Sequence, residues 1–365
     1  MSRSVRDTWY RSGWAAARCN AHLLLLANLE APFMDTVSAA RPAPRYWVHL
    51  LLLVLTVGTT FTSYLLYFHF QRPYSLGEVS PEAAFRALAF SLSLLAILGT
   101  HEMGHYVLAR WHRVETSLPY FIPLPVLGVG TLGAVIRIRD RIPNRNALVD
   151  IGAAGPLAGL VVALPILFWG LAHSTVVDAP DIPSTLFPGD GSLWVIGRDV
   201  FTWVMDRVTN APPAPETPFN GVQTLFGDSL LMQGLTRLAL GPLPEGKDIL
   251  VHPVVIAGWF GLLVTLLNLM PVGQLDGGHL AYALWGRRAH WVGRAVALVL
   301  LVLTLFVTAS WGLWLLVTSK LVGFGHPEVV EPQEPLSPLR KWICALCLLA
   351  LIGCAMPIPL RQVMT

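Results

Sequence analysis

Apolar stretches about as long as a membrane-crossing helix recur along the chain, and they constrain its fold more than any other feature. They lie at about residues 46–70, 84–109, 147–172, 250–270, 291–322 and 341–360. Each is near the roughly 20 residues that a helix needs to cross the hydrocarbon core of a bilayer. Only 13% of the 365 residues are charged, against about 25% in soluble domains. The sequence therefore predicts an all-α polytopic membrane protein.

The apolar stretches predict six or seven transmembrane helices. The count is open because the stretch 291–322 contains ASWGLW, which favours a tight turn, so this stretch is either one tilted helix or two short ones. The segment 117–140 carries several prolines and glycines and then a β-like run from Ala134 to Ile138. Non-helical backbone at membrane depth must be buried in protein or line a wet cavity, so we predict a re-entrant β-hairpin-like segment here.

Loop charges predict the orientation of the chain. An arginine-bearing tail at 1–45 precedes the first span, which favours a cytoplasmic N-terminus, and the basic segment RIRDRIPNR is predicted on the same side. The loop at about 173–249 has few basic residues and is predicted outside. The net charge of +3 comes with no clustered basic face, so we expect a lipid bilayer and no nucleic acid as a partner.

Three ionisable residues lie inside one apolar stretch, in the sequence HEMGH: His101, Glu102 and His105. Histidines four residues apart share one face of a helix, which is the spacing at which two imidazoles bind one Zn²⁺. The adjacent glutamate is then placed to act as general base on a zinc-activated water. Ionisable groups inside a span are costly and indicate function. His101 lies nine residues before Arg110, roughly 13 Å inside the cytoplasmic boundary.

A catalytic zinc needs a third protein ligand and an open fourth position. The segment NLMPVGQLDGGH (268–279) ends a later apolar stretch with Pro271 and a glycine-rich turn, so we predict that the helix kinks or unwinds there. It offers two rival ligands, Asp276 and His279. Asn268 in the same segment can hydrogen-bond a substrate backbone or a helix end.

The paired motifs resemble those of the site-2 protease family of intramembrane zinc metalloproteases, peptidase family M50. The resemblance rests on HEMGH in one span and NLMPVGQLDGG at the end of a later one, with the glycine-bearing span DIGAAGPLAGL between them. It covers about residues 84–290 and is closest to the branch without a PDZ domain. It implies that His101, His105 and Asp276 bind one Zn²⁺ and that Glu102 is the catalytic base.

The resemblance also implies a substrate and a place. The expected substrate is a transmembrane helix of another protein, such as a membrane-anchored transcription regulator or anti-sigma factor. The expected location is a bacterial cell membrane, with the active site towards the cytoplasm. A strand such as Ala134–Ile138 could bind the unwound substrate by β-addition. The candidate substrate-binding residues are Asn268, Gly130, Gly133, Ala134, Val135 and Ile136.

The sequence divides into four predicted regions. These are the tail 1–45, the first span and outer loop 46–83, the metalloprotease core 84–290, and the C-terminal spans and linker 291–365. Two other functions remain as alternatives: an inactive zinc-binding membrane scaffold and a metal transporter. A transporter would need polar ligands along a path across the bilayer, whereas the sequence shows one cluster.

Overall fold

The computed structural model describes residues 46–125, 128–178, 192–209 and 222–364. The predicted tail at 1–45 lies outside the described residues. The α-helices are α1 (Tyr46–Tyr64), α2 (Pro81–Trp111), α3 (Arg145–Ala172), α4 (Leu193–Thr209), α5 (Leu230–Leu240), α6 (Pro253–Leu269), α7 (Asp276–Trp285), α8 (Ala289–Phe306), α9 (Ser310–Leu316) and α10 (Pro338–Cys354). Short helical turns follow α1, α7 and α9 and precede α2, at Leu65–His69, Gly286–Arg288, Val317–Val322 and Leu76–Glu78.

The described strands are short and form antiparallel pairs. They are β1 (Tyr120–Pro123), β2 (Thr131–Val135), β3 (Thr175–Asp178), β4 (Val222–Phe226), β5 (Lys247–Leu250) and β6 (Leu360–Met364). β1 pairs with β2, β3 with β5, and β4 with β6. The β1–β2 hairpin lies inside the predicted segment 117–140, with its second strand three residues earlier than the β-like run in the sequence.

Helical segments long and apolar enough to cross a membrane number four within the described ranges: Tyr46–His69, Pro81–Trp111, Arg145–Ala172 and Asp276–Phe306. The chain is therefore an integral membrane protein that is mostly helical. By this criterion of length and composition, the predicted six or seven spans are not confirmed. The difference arises because α6 and α10 have 17 residues each. A helix of that length measures about 25 Å and is at the lower limit of the lengths that cross a hydrocarbon core of about 30 Å.

The interruptions predicted from the sequence are present in the fold. Helix α6 ends at Leu269, two residues before Pro271, and a turn leads into α7 at Asp276. Proline disfavours helical backbone at the residue before it, which explains why the helix stops at this point. The stretch 291–322 is divided between α8 and α9, so the alternative of two short helices is the one observed.

Sequence signals at the helix starts fix the helices that surround the site. Ser80 precedes α2 and its side chain accepts a hydrogen bond from the backbone N–H of Ala83 at 3.1 Å. Asn144 caps α3 in the same way through Ala147 at 2.9 Å. Each cap satisfies a backbone donor that the first turn of a helix leaves without a partner.

Helices α2, α3, α6 and α7 pack together at the centre of the fold. Small residues allow close contact in the centre. A Cβ atom on Gly104 in α2 would lie 2.5 Å from the carbonyl oxygen of Ala154 in α3. Close packing through small residues is a common way for membrane helices to associate, because lipid supplies little hydrophobic driving force between them. The bundle thereby brings polar residues of α2 and α7 to one buried place.

Candidate metal centre

The first half of the candidate centre lies on one turn of α2. His101 and His105 are 3% and 7% exposed, and Glu102 between them is half-buried. One ligand atom from each of the three residues lies within 4.8 Å of the others. Helical periodicity alone accounts for this grouping, since residues four apart lie one above the other.

The second half comes from the first residue of α7. One carboxylate oxygen of Asp276 lies 3.3 Å from Nε2 of His101, and the other lies 3.3 Å from Nε2 of His105. The two Nε2 atoms are 3.2 Å apart. The turn between α6 and α7 makes this approach possible: Gly277 packs so closely that a Cβ atom would lie 1.9 Å from the carbonyl oxygen of Leu269.

This donor set fits zinc in both chemistry and spacing. Zinc binds imidazole nitrogen and carboxylate oxygen at about 2.0–2.1 Å in a tetrahedron, so its ligand atoms lie about 3.3 Å from one another. The three separations among His101, His105 and Asp276 are 3.2–3.3 Å. Electron-rich atoms that converge in this way need positive charge at their centre, which a divalent cation supplies.

Helix α3 holds the imidazole of His105 from behind. The Nδ1–H of His105 donates to the carbonyl oxygen of Ile151 at 2.7 Å, which leaves Nε2 with its lone pair directed at the centre. Gly155 lies one turn further along α3, and a Cβ atom there would come within 2.0 Å of Nε2 of His105. These roles of Ile151 and Gly155 were not predicted from the sequence. Their signal was the spacing of small residues in DIGAAGPLAGL, which includes Gly152, Gly155 and Gly159.

His279, the rival third ligand, has its own hydrogen-bond partner on another segment. Its Nδ1 lies 2.6 Å from Nε2 of His326, and the ring of His326 stacks on Tyr282 with the centroids 4.3 Å apart. Asp276 lies within ligand distance of both α2 histidines, whereas the side-chain hydrogen bond of His279 is to His326. Helical geometry explains the difference, because a residue three positions along α7 projects its side chain from a different level of the helix.

A cavity of about 780 Å³ opens beside the three candidate ligand residues and Glu102. Of the candidate substrate-binding residues, it is lined by Asn268, Gly133, Ala134, Val135 and Ile136. The amide nitrogen of Asn268 lies 3.3 Å from Nε2 of His101, so this side chain borders the metal centre. Apolar side chains of α2 and α6, including Leu98 and Phe260, form the rest of the wall.

The cavity-facing edge of β2 meets the glutamate. The backbone N–H of Ile136, just after β2, donates to Oε2 of Glu102 at 3.1 Å. The other edge of β2 pairs with β1, where Val135 is opposite Tyr120. In the described chain this sheet has two strands, so the edge beside Glu102 is available to another extended segment.

Gly130 is placed differently from the other candidate substrate-binding residues. It adopts φ +84 and packs against α1, where a Cβ atom would lie 2.4 Å from the carbonyl oxygen of Thr59. The hydroxyl of Thr59 donates to the carbonyl oxygen of Gly130 at 2.7 Å. Gly130 does not line the cavity within the described residues, so its contact is with the first helix.

A family model described as peptidase family M50 matches residues 89–309, which is more than half of the chain and contains both halves of the centre. The chain belongs to peptidase family M50. This is the site-2 protease family that the paired motifs resemble, and its zinc chemistry agrees with the donor set of His101, His105 and Asp276.

Several plant proteins are similar to the chain. A protein named "Probable zinc metalloprotease EGY2, chloroplastic" from Oryza sativa subsp. indica is 33% identical over 199 residues, which cover 54% of this chain and 29% of the relative. "Probable zinc metalloprotease EGY1, chloroplastic" from Arabidopsis thaliana is 31% identical over 278 residues, covering 73% of this chain and 41% of the relative. The chain thus spans less than half the length of these relatives. No solved structure matches the chain.

Proposed function

We propose that this protein is an intramembrane zinc metalloprotease that hydrolyses a peptide bond in or near a transmembrane helix of another membrane protein. The observation that carries the proposal is the convergence of Asp276 on His101 and His105 at 3.3 Å, beside Glu102 and a cavity lined by a strand. We assign His101, His105 and Asp276 as metal ligands and Glu102 as the catalytic base. Bound Zn²⁺ would supply a Lewis acid that polarises the scissile carbonyl and lowers the pKa of water.

Glu102 moves the proton in this mechanism. Its carboxylate is oriented by the N–H of Ile136 and lies beside the ligand atoms of both histidines. It takes a proton from the attacking water and passes it to the departing amine, which is general base and then general acid catalysis by one group. The His105–Ile151 hydrogen bond meanwhile keeps the imidazole in one tautomer and one orientation.

The substrate is bound as an extended segment along β2. A peptide in a helix has its carbonyls hydrogen-bonded and shielded, so the scissile region must unwind before it reaches the centre. The free edge of β2 supports this step because it offers the backbone groups of Ala134 and the carbonyl of Ile136 to an added strand, while the Ile136 N–H holds Glu102. Asn268 would hold the peptide backbone close to His101. We propose that the β1–β2 hairpin is re-entrant and stands at the depth of the centre.

The chain is proposed to cross the membrane seven times, with its C-terminus on the side away from the metal. Helices α6, α9 with its following turn, and α10 supply the crossings beyond the four long segments. The support is that β6 pairs with β4 in the loop before α6, and that the indole N–H of Trp311 donates to the carbonyl oxygen of Pro357 at 2.8 Å. At the other end, the N–H of Glu331 donates to the carbonyl oxygen of Pro143, just before α3.

We combine this topology with proposals for the domains, the location and the substrates. We propose residues 84–290 as the protease core, preceded by the tail 1–45 and the first span and outer loop 46–83, and followed by the C-terminal spans and linker 291–365. The active site faces the cytoplasm, as the basic loops indicate. We propose a bacterial cell membrane as location and a membrane-anchored transcription regulator or anti-sigma factor as substrate, as in the site-2 protease family, although the similar plant proteins are named chloroplastic. A tag at the C-terminus should be digested by protease added outside intact cells, and a protected tag would contradict seven crossings.

The decisive experiment compares wild type with Glu102→Gln, both reconstituted in lipid with a membrane-anchored substrate. The variant should bind zinc like wild type and lose about 100-fold or more in cleavage rate, which is the range of general acid–base catalysis. A chelator should abolish wild-type cleavage and added zinc should restore it. Undiminished cleavage by Glu102→Gln would overturn the mechanism, and zinc binding without any cleavage by wild type would favour the inactive scaffold.

A further inference from the structure

The C-terminal helix α10 is attached to the helix that supports the metal ligands. Arg340, in the first turn of α10, makes a bidentate salt bridge with the carboxylate of Asp150 in α3. Its Nε donates to Oδ1 at 3.0 Å and its Nη2 donates to Oδ2 at 2.7 Å. Nε2 of His112, which follows α2, lies 2.9 Å from Oδ2 of the same carboxylate. Asp150 therefore joins three helices at one point.

The join is well shielded from solvent. The side chain of Asp150 is 11% exposed and that of Arg340 is 29% exposed. Paired Arg–carboxylate contacts fix geometry as well as charge, and partial burial strengthens them relative to exposed ion pairs. The linker before α10 adds to the attachment, because Asn146 in the first turn of α3 donates to a carboxylate oxygen of Glu334 at 3.0 Å and accepts from the N–H of Ser337 at 2.9 Å.

The residue after Asp150 touches a metal ligand. Ile151 provides the carbonyl oxygen that accepts from Nδ1 of His105, and Gly155 one turn later lies against the same imidazole. Any shift of α3 at Asp150 therefore moves the groups that set the position of His105. Helix α10 also packs on the other half of the centre, since Cys344 and Cys347 share a buried cluster with residues of α3 and α7, Leu148 and Leu280 among them.

We propose that Arg340 is a positioning residue for the metal centre, acting through Asp150 and Ile151 on His105. It lies outside residues 89–309, the part of the chain that the family model matches. The C-terminal helix then supports the metal centre from outside the segment that the family model matches. The inference rests on the proposed function, because it assigns His105 as a zinc ligand.

The test measures zinc affinity of the purified full chain in detergent, by competition with a chromophoric chelator. Arg340→Met should raise the zinc Kd about 10-fold, at the low end of the range for groups that orient a ligand from outside the metal shell. Arg340→Lys keeps the charge and loses the paired geometry, so a smaller rise is expected. The matched control is Lys341→Met, an exposed neighbour in the same helical turn, which should stay within twofold of wild type.

Turnover supplies a second measurement. Arg340→Met should lower kcat and leave KM within about twofold. The reason is that the substitution disturbs the geometry of the metal centre but leaves the substrate-binding cavity unchanged. A zinc Kd equal to that of Lys341→Met, even with a lower Tm, would overturn the inference and leave Arg340 a structural residue. If Arg340→Met does not fold, Arg340→Lys decides, and a wild-type Kd for it rejects the inference.

Wild-type zinc binding separates the two proposals. A wild type that binds zinc and cleaves substrate, together with an unaffected Arg340→Met, removes the positioning role alone. A wild type that binds no zinc removes the proposed function, and the positioning role with it.

Discussion

Half of the metal centre lies on one unbroken helix, and the other half lies where two helices meet. His101, Glu102 and His105 occupy a single turn of the 31-residue helix α2. Asp276 begins α7 after a turn that follows the end of α6. The first half needs nothing except helical geometry to assemble. The second half needs one helix to end and the next to begin at a defined depth.

The two halves differ in what holds them. The spacing of the α2 residues is set by backbone hydrogen bonds that any helix makes, whereas the position of the Asp276 carboxylate is set by a turn packed against Leu269. Helix α3 connects them, since Gly155 lies against His105, and a Cβ atom on Gly152 would lie 3.5 Å from the carbonyl oxygen of Asp276. Substitution of an α2 residue of the centre therefore removes a functional side chain directly. A change in the α6–α7 turn or in α3 instead displaces side chains that are still present.

The largest expected effect is on zinc affinity, and it distinguishes Asp276 from His279 as the third ligand. Asp276→Ala removes a proposed metal ligand, so zinc affinity should fall by more than the roughly 10- to 100-fold expected when an outer orienting group is lost. His279→Ala should change it less than 10-fold, because that imidazole bonds to His326. Zinc titration of both variants makes the comparison. A greater loss with His279→Ala would reverse the ligand assignment.

The next effect tests α3 as the connection between the halves. Gly155→Ala places a methyl group 2.0 Å from Nε2 of His105, so either the imidazole or α3 must move. We expect a loss of about 10- to 100-fold in zinc affinity, as for other changes that misorient a ligand. The control is Gly58→Ala in α1, where a Cβ atom has nothing within 4 Å. Equal zinc affinities for the two variants would show that α3 does not fix His105.

A smaller effect is expected on the stability of the turn itself. Gly277→Ala brings a methyl group to 1.9 Å from the carbonyl oxygen of Leu269, and overpacking of this kind costs about 1–3 kcal/mol. Thermal unfolding with a chelator present isolates packing from metal binding, and Tm should fall. Gly234→Ala in α5 has open space around it and should leave Tm unchanged or raise it slightly. A Tm for Gly277→Ala that matches this control would contradict the packing argument.

The smallest effect concerns the strand beside the centre. Thr59→Val removes the hydrogen bond from α1 to the carbonyl of Gly130, which is worth about 1 kcal/mol, so KM for a membrane-anchored substrate should rise about fivefold. Zinc affinity should stay unchanged, because neither half of the centre is touched. Thr62→Val, an exposed position in the same helix, is the control. An altered zinc Kd for Thr59→Val would mean that the hairpin and the centre are coupled.

The sequence determined those features that depend on neighbours along the chain. Apolar stretches of about 20 residues predicted the membrane class, HEMGH predicted a metal-binding turn, and Pro271 predicted the end of α6, since spacing and backbone preference act locally. The resemblance to the M50 family chose Asp276 over His279, which the residues alone left open. The number of spans was harder to predict from the sequence, because α6 and α10 have only 17 residues each and are at the lower limit for crossing the bilayer.

Tertiary structure alone decided which groups support the centre. The carbonyl of Ile151, the bare backbone of Gly155 and the Arg340–Asp150 contact act on His105 from other parts of the chain, at sequence separations that no local pattern encodes. The same is true of Gly130, which the sequence grouped with the substrate strand and the fold packs against α1. The physical reason is that ligand spacing comes from one helix, whereas ligand orientation comes from whichever helices pack against it.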